Sequence, residues 1–145
     1  MAGFELSEWV AKSPEEVFNF LTDTRNASKL NPGIQHMEKL TDAPLGIGTR
    51  YRETRIVNGK QAQAELEVVQ YDPPRTYAMM NEAGGIQTSY TYTLTPERNG
   101  TRIDLQAEVK AGGLKKVMAP MVVSILKRED GDHLTRLKHA LEGSA

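Results

Sequence analysis

The stretch from Gly113 to Gly143 constrains this chain most, because it carries the one long helical period in the sequence. Leu114, Met118, Met121, Val122 and Ile125 recur at spacings of three and four, and Leu126, Leu134, Leu137 and Leu141 continue the pattern. The spacing predicts one helix across the whole stretch. Gly112 and Gly113 precede it, Gly143 stands where a C-terminal cap is expected, and Lys138 and His139 suit the negative end of the helix dipole. At about 100° per residue the two halves of the apolar stripe do not share a centre. The helix therefore either bends, with Pro120 and Gly131 as candidates, or turns its halves towards different partners. A slow or kinked start is expected between Leu114 and Pro120. The rest of the chain must supply a surface for this helix.

The 145 residues suffice for a single domain with a real core. A net charge of −1 gives no basic field to hold nucleic acid or an anionic membrane. The absence of cysteine rules out disulfides, thiolate metal sites and a cysteine nucleophile. The opening Met-Ala-Gly-Phe-Glu-Leu has neither a positive region nor an apolar run, so no signal peptide is expected. No segment is apolar for long enough to span a membrane. The expectation is a soluble cytoplasmic protein, with the oligomeric state left open.

Phe4 to Val10 alternates as a strand. Ser13-Pro14-Glu15-Glu16 opens a helix, with Ser13 as cap, Pro14 at the first helical position and Glu16 closing a capping box. A second short helix is expected from about Asn26 to Leu30, stopped by Asn31-Pro32-Gly33. Six strands follow, over 35–40, 48–57, 61–71, 75–81, 87–95 and 101–109, with Asn58-Gly59 as a strong hairpin signal. Short turns between consecutive strands give an antiparallel meander. One face of that sheet needs covering, and the terminal helix is the element long enough to cover it.

The order strand, two helices, six strands, helix resembles the helix-grip fold of the START/Bet v 1 (SRPBCC) superfamily. Five stretches are similar to its polyketide cyclase/dehydrase-like branch. They are Ser-Pro-Glu-Glu-Val-Phe-Asn-Phe-Leu-Thr-Asp at 13–23, Gly-Ile-Gly-Thr-Arg-Tyr-Arg-Glu-Thr-Arg at 46–55, Val-Val-Gln-Tyr-Asp-Pro-Pro-Arg at 68–75, Asn-Gly-Thr-Arg at 99–102 and Leu-Thr-Arg-Leu-Lys-His-Ala-Leu-Glu at 134–142. They span essentially the whole chain, 1–145. They are mostly turns, caps and core positions, so the resemblance speaks for the fold more than for a reaction. It implies an α+β fold: a curved seven-stranded antiparallel sheet wrapped around a long C-terminal helix, with a deep cavity between them.

Inward strand positions would line such a cavity. On 48–57 the alternative to Tyr51, Glu53 and Val57 is a set with two arginines and little apolar surface, so the former are placed inward. The same reasoning turns Tyr90, Tyr92 and Leu94 inward, followed by Ile103, Leu105 and Ala107. Tyr77 and Met79 share a face, and the helix adds Met118, Met121, Val122 and Ile125. Tyrosine hydroxyls and flexible thioethers around one space suit an adaptable apolar pocket with a few polar anchors. The chain has three Phe and one Trp, all before residue 21, which leaves the later strands without bulky filler. The expected ligand-binding set is Tyr51, Glu53, Tyr77, Met79, Tyr90, Tyr92, Met118, Met121 and Ile125, with access near Pro120.

Glu53 is the candidate catalytic group, since a carboxylate in a half-apolar cavity can serve as general acid or base. The other reading pairs it with Arg55 or a neighbouring strand, and that reading is preferred because structural ion pairs also place charge there. His36 could reach the cavity mouth, and His133 and His139 lie late on the helix. Three scattered histidines without ligand spacing give no metal site, and no cofactor motif is present. Asp130, in line with Leu126 and Leu134, marks where the stripe could leave the core. Three functions compete. The preferred one is binding of a hydrophobic or aromatic small molecule, lipid- or polyketide-like. The others are a cyclase, aromatase or dehydratase using Glu53 and a tyrosine, and a protein-interaction module.

Overall fold

A computed structural model describes residues 2–143. Strand β1 (Ala2–Val10) leads into α1 (Pro14–Thr22), a 3-10 turn at Thr24–Asn26 and the short α2 (Ala27–Leu30). Six strands follow: β2 (Ile34–Lys39), β3 (Arg50–Val57), β4 (Lys60–Asp72), β5 (Thr76–Ala83), β6 (Ile86–Glu97) and β7 (Gly100–Ala111). A 3-10 segment at Gly113–Met118, then α3 (Ala119–Asp130) and α4 (His133–Glu142), complete the chain. The α+β helix-grip architecture is the one expected, and no helix is long and apolar enough to cross a membrane.

Local chemistry explains most boundaries. The Ser13 hydroxyl accepts the Glu16 N–H at 3.2 Å, and the Glu16 carboxylate reaches back to the Ser13 N–H, so the capping box is closed. Asn58 and Gly59 both have positive φ, as a two-residue hairpin turn with the right twist requires. The sheet order is β1-β7-β6-β5-β4-β3-β2, antiparallel throughout, so the meander ends beside the first strand. Bulges in β2 between Ile34 and His36, and in β4 between Val68 and Gln70, interrupt the ladder and add bend.

The terminal stretch is helical from Gly113 to Glu142, but it is not one α-helix. Residues 113–118 wind as 3-10 helix, and Pro120 falls in the first turn of α3, where its missing N–H costs nothing. A second break separates α3 from α4 at Gly131 and Asp132. A Cβ at Gly131 would lie 2.4 Å from the Lys127 carbonyl oxygen, so the tight join needs glycine there. The two halves do face different partners: α4 packs on β1, α1 and α2, and α3 on β1 and β7. Leu134 and Leu137 are buried with Val10, Val17, Phe18, Leu21, Ile103 and Leu105, and Leu141 packs on that cluster.

Candidate functional site

Because α3 lies towards β1 and β7, the concave face of β3–β6 is only partly roofed. What remains is a cavity of about 330 Å³. Its walls are apolar along Leu30, Ile34, Met37, Leu66 and Met79. The exposed residues of its lining are Ala62 and Gln63 after the β3–β4 hairpin and Ile125 on α3, and these mark the mouth. The opening therefore lies between α3 and that hairpin rather than at Pro120.

Tyr51, Glu53, Val57, Tyr77, Met79, Tyr90, Tyr92 and Ile125 all line this space. Met118 and Met121 do not. They are 38% and 53% exposed, and Leu114 is 94% exposed. The reason is phase. A 3-10 segment turns about 120° per residue, so spacings counted at the α-helical angle fail before Ala119. Within α3 the less exposed stripe is Ala119, Val122, Val123, Leu126 and Asp130, about one residue round from the one read in the sequence, with Ile125 at its margin.

Two corrections concern polar residues. Asp130 does not mark an exit from the core; it is buried and faces the cavity. Its carboxylate accepts the Asn31 side-chain amide at 2.6 Å and the Tyr90 hydroxyl at 2.5 Å, and Arg55 approaches to 3.9 Å. His36 is exposed and outside the lining, whereas His133 is buried within it. His133 Nε2 lies 2.6 Å from the Tyr92 hydroxyl. Glu53 is buried, as its inward placement requires, and takes the Arg55 Nε–H at 2.7 Å. The ion pair preferred from the sequence and the cavity position are therefore both present.

The electrostatics follow from burial. His133 is pushed below its usual 6.5 by loss of solvent, with Asp130 pulling the other way. It is a neutral ring. Its Nε2 shares a hydrogen bond with the Tyr92 hydroxyl, the direction being set by the tautomer. Burial holds the Tyr51, Tyr77, Tyr90 and Tyr92 phenols above the ordinary range, Asp130 adding to the effect at Tyr90 and Tyr92, so all four remain O–H donors. For Arg55, burial favours the neutral form, but the bond to Glu53 and the nearby charges of Glu53 and Asp130 together outweigh it and the guanidinium stays charged. The Tyr77 and Tyr92 rings stack with centroids 6.4 Å apart, and Phe18 meets Tyr77 edge-on at 6.0 Å. The arrangement is an aromatic and aliphatic container with one hydrogen-bonded polar wall. Among the described residues no group of three His, Asp or Glu side chains is placed to hold a metal ion.

Sequence reasoning missed Asp130, His133 and Asn31 as parts of this wall. For Asp130 a signal existed: a carboxylate at a position where the stripe from Leu126 to Leu134 calls for an apolar residue.

Solved structures share this fold across the chain. Ara h 8.0201 superposes with a TM-score of 0.80 over 99% of both chains at 18% identity. TTHA0849 from Thermus thermophilus gives 0.76 over 99% of both at 17% identity. The di-domain ARO/CYC BexL from the BE-7585A biosynthetic pathway gives 0.80 at 17% identity over 98% of this chain, which spans 47% of BexL. Identities this low speak for the fold alone. Among curated proteins none matches. The family described as polyketide cyclase/dehydrase and lipid transport matches residues 1–142, and the chain belongs to that family.

Proposed function

We propose that the protein binds a hydrophobic or aromatic small molecule, lipid- or polyketide-like, in the cavity between the sheet and the terminal helices. The observation that carries this is the cavity itself, about 330 Å³ with apolar walls and one polar side. Small-molecule sites occupy roughly 300–1,000 Å³ and use this division of labour, apolar walls for affinity and a few polar groups for orientation. Tyr51, Glu53, Tyr77, Met79, Tyr90, Tyr92 and Ile125 are the contacts expected. Membership of a family of cyclases, dehydrases and lipid carriers supports the same reading. Native mass spectrometry of the purified protein should show an adduct released on denaturation, and the emptied protein should take up Nile red saturably at one site. Absence of both the adduct and saturable uptake would remove the binding reading.

The second reading is an enzyme of the cyclase or dehydratase kind, and the Tyr92–His133 pair favours it. A neutral imidazole hydrogen-bonded to a tyrosine hydroxyl at the cavity wall can relay a proton from a bound molecule. Glu53, tied to Arg55 at 2.7 Å, holds the guanidinium in this reading and is the weaker acid–base candidate. Retention of a turnover rate in His133→Gln would exclude the relay, and retention in Glu53→Gln would exclude Glu53.

A further inference from the structure

The lining of the cavity has a sign. Asp23, Glu53, Glu129 and Asp130 face it, with Arg55 as the one arginine or lysine among the lining positions. Asp23 is neutralised by Arg25, whose guanidinium holds it at 2.7 Å. The other three carboxylates share one guanidinium, a formal count of −2. Arg55 is already spent on Glu53 at 2.7 Å and reaches Asp130 only at 3.9 Å. The Asn31 and Tyr90 bonds to Asp130 come from neutral groups and add no positive charge. Among the described residues no cation stands within ion-pair distance of Glu129. Uncompensated charge in a confined, half-apolar space is unfavourable unless something supplies the opposite sign.

A second observation points to a ligand. Tyr51 and Tyr77 are 4% and 3% exposed and line the cavity, yet among the described residues neither hydroxyl has a hydrogen-bond partner. Among those residues no sealed-off side-chain oxygen or nitrogen lacks a partner, so these two hydroxyls open onto the cavity. Phenolic oxygens accept hydrogen bonds as well as donate them, and the surrounding tyrosine faces attract cations.

We propose that the cavity selects an apolar molecule carrying a positively charged nitrogen, a hydrophobic amine, over an alcohol or carboxylic acid of the same shape. The inference rests on the binding reading above and adds the chemistry of the head group. The ammonium sits against Glu129 and Asp130, and the apolar body lies along Leu66, Met79 and Met37. A carboxylate head meets like charge and is rejected.

Three matched probes test this by fluorescence titration at pH 7: 2-naphthylmethylamine, 2-naphthylmethanol and 2-naphthoate. The amine should bind at least about tenfold tighter than either of the others, a difference of about 1.4 kcal/mol. Glu129→Gln should weaken the amine several-fold and leave the alcohol unchanged. An alcohol or naphthoate that binds as well as the amine would overturn the charge selection while leaving the cavity as a binding site. Equal losses for amine and alcohol in Glu129→Gln would also count against it, by making the effect steric. If none of the three binds and Nile red is not taken up either, both readings fall together.

Discussion

Leu137→Ala should destabilise the protein strongly, whereas Leu114→Ala should not. Both leucines belong to the same sequence stripe, and the structure separates them completely: Leu137 is 0% exposed and Leu114 is 94% exposed. Leu137 sits among Val10, Val17, Phe18 and Leu105, where rigid neighbours on a sheet and a capped helix cannot close over the lost side chain. Leu→Ala at such sites costs about 2–5 kcal/mol, a large share of a typical stability of about 5–15 kcal/mol. An unfolding entropy of about 2.1 cal/mol/K per residue gives a chain of 145 residues about 0.3 kcal/mol/K. A loss of about 3 kcal/mol then lowers Tm by roughly 10 °C. Leu114→Ala removes a side chain already in water and should stay within about 0.5 kcal/mol. Urea unfolding followed by circular dichroism gives both values. A change below about 0.5 kcal/mol for Leu137→Ala would show that the buried face of α4 has been assigned wrongly.

Two further outcomes follow from the site. The folded state holds His133 neutral below its ordinary 6.5, so the unfolded chain binds the extra proton first and stability falls as pH drops from 6.5 towards the depressed value. Differential scanning calorimetry from about pH 7.5 to about pH 5 should show that slope in the wild type and a flatter one in His133→Gln; equal slopes would mean that the ring is not held neutral. At the mouth, Ile125→Trp should weaken Nile red uptake, whereas Met121→Trp, 53% exposed in the wild type and outside the lining, should leave it unchanged. The reverse order would put the opening back near Pro120.

The sheet was legible because its determinants are local. Alternation through Ile103, Leu105 and Ala107 fixes one face, and Asn58-Gly59 fixes a turn whatever lies around it. The inward placement of Tyr51, Glu53 and Tyr92 came from the same parity. The phase of the terminal helices was not legible before Ala119, because a change from 3-10 to α winding shifts each preceding side chain without altering the apolar composition. Nor was the polar wall. Asn31 and Asp130 are 99 positions apart, and their bond exists only once the end of α2 and the end of α3 have been brought together by the sheet.

That junction shows how the fold divides its labour. The α4 end is sealed by leucines on β1 and α1 and can supply stability without reference to any ligand. The α3 end gives up packing. Met121 lies largely in water, Leu114 almost wholly so, and the cavity persists beneath. Between the two, Gly131 breaks the helix, and the residues on either side of it, Asp130 and His133, are the ones that bind Tyr90 and Tyr92 of β6. Satisfied polar contacts demand particular partners at particular distances, where apolar packing tolerates sliding. Placed at the break, they fix where α3 ends relative to the sheet. The aspartate takes a place where the stripe from Leu126 to Leu134 calls for an apolar side chain, and its bonds to Asn31 and Tyr90 tie the end of α3 to α2 and β6.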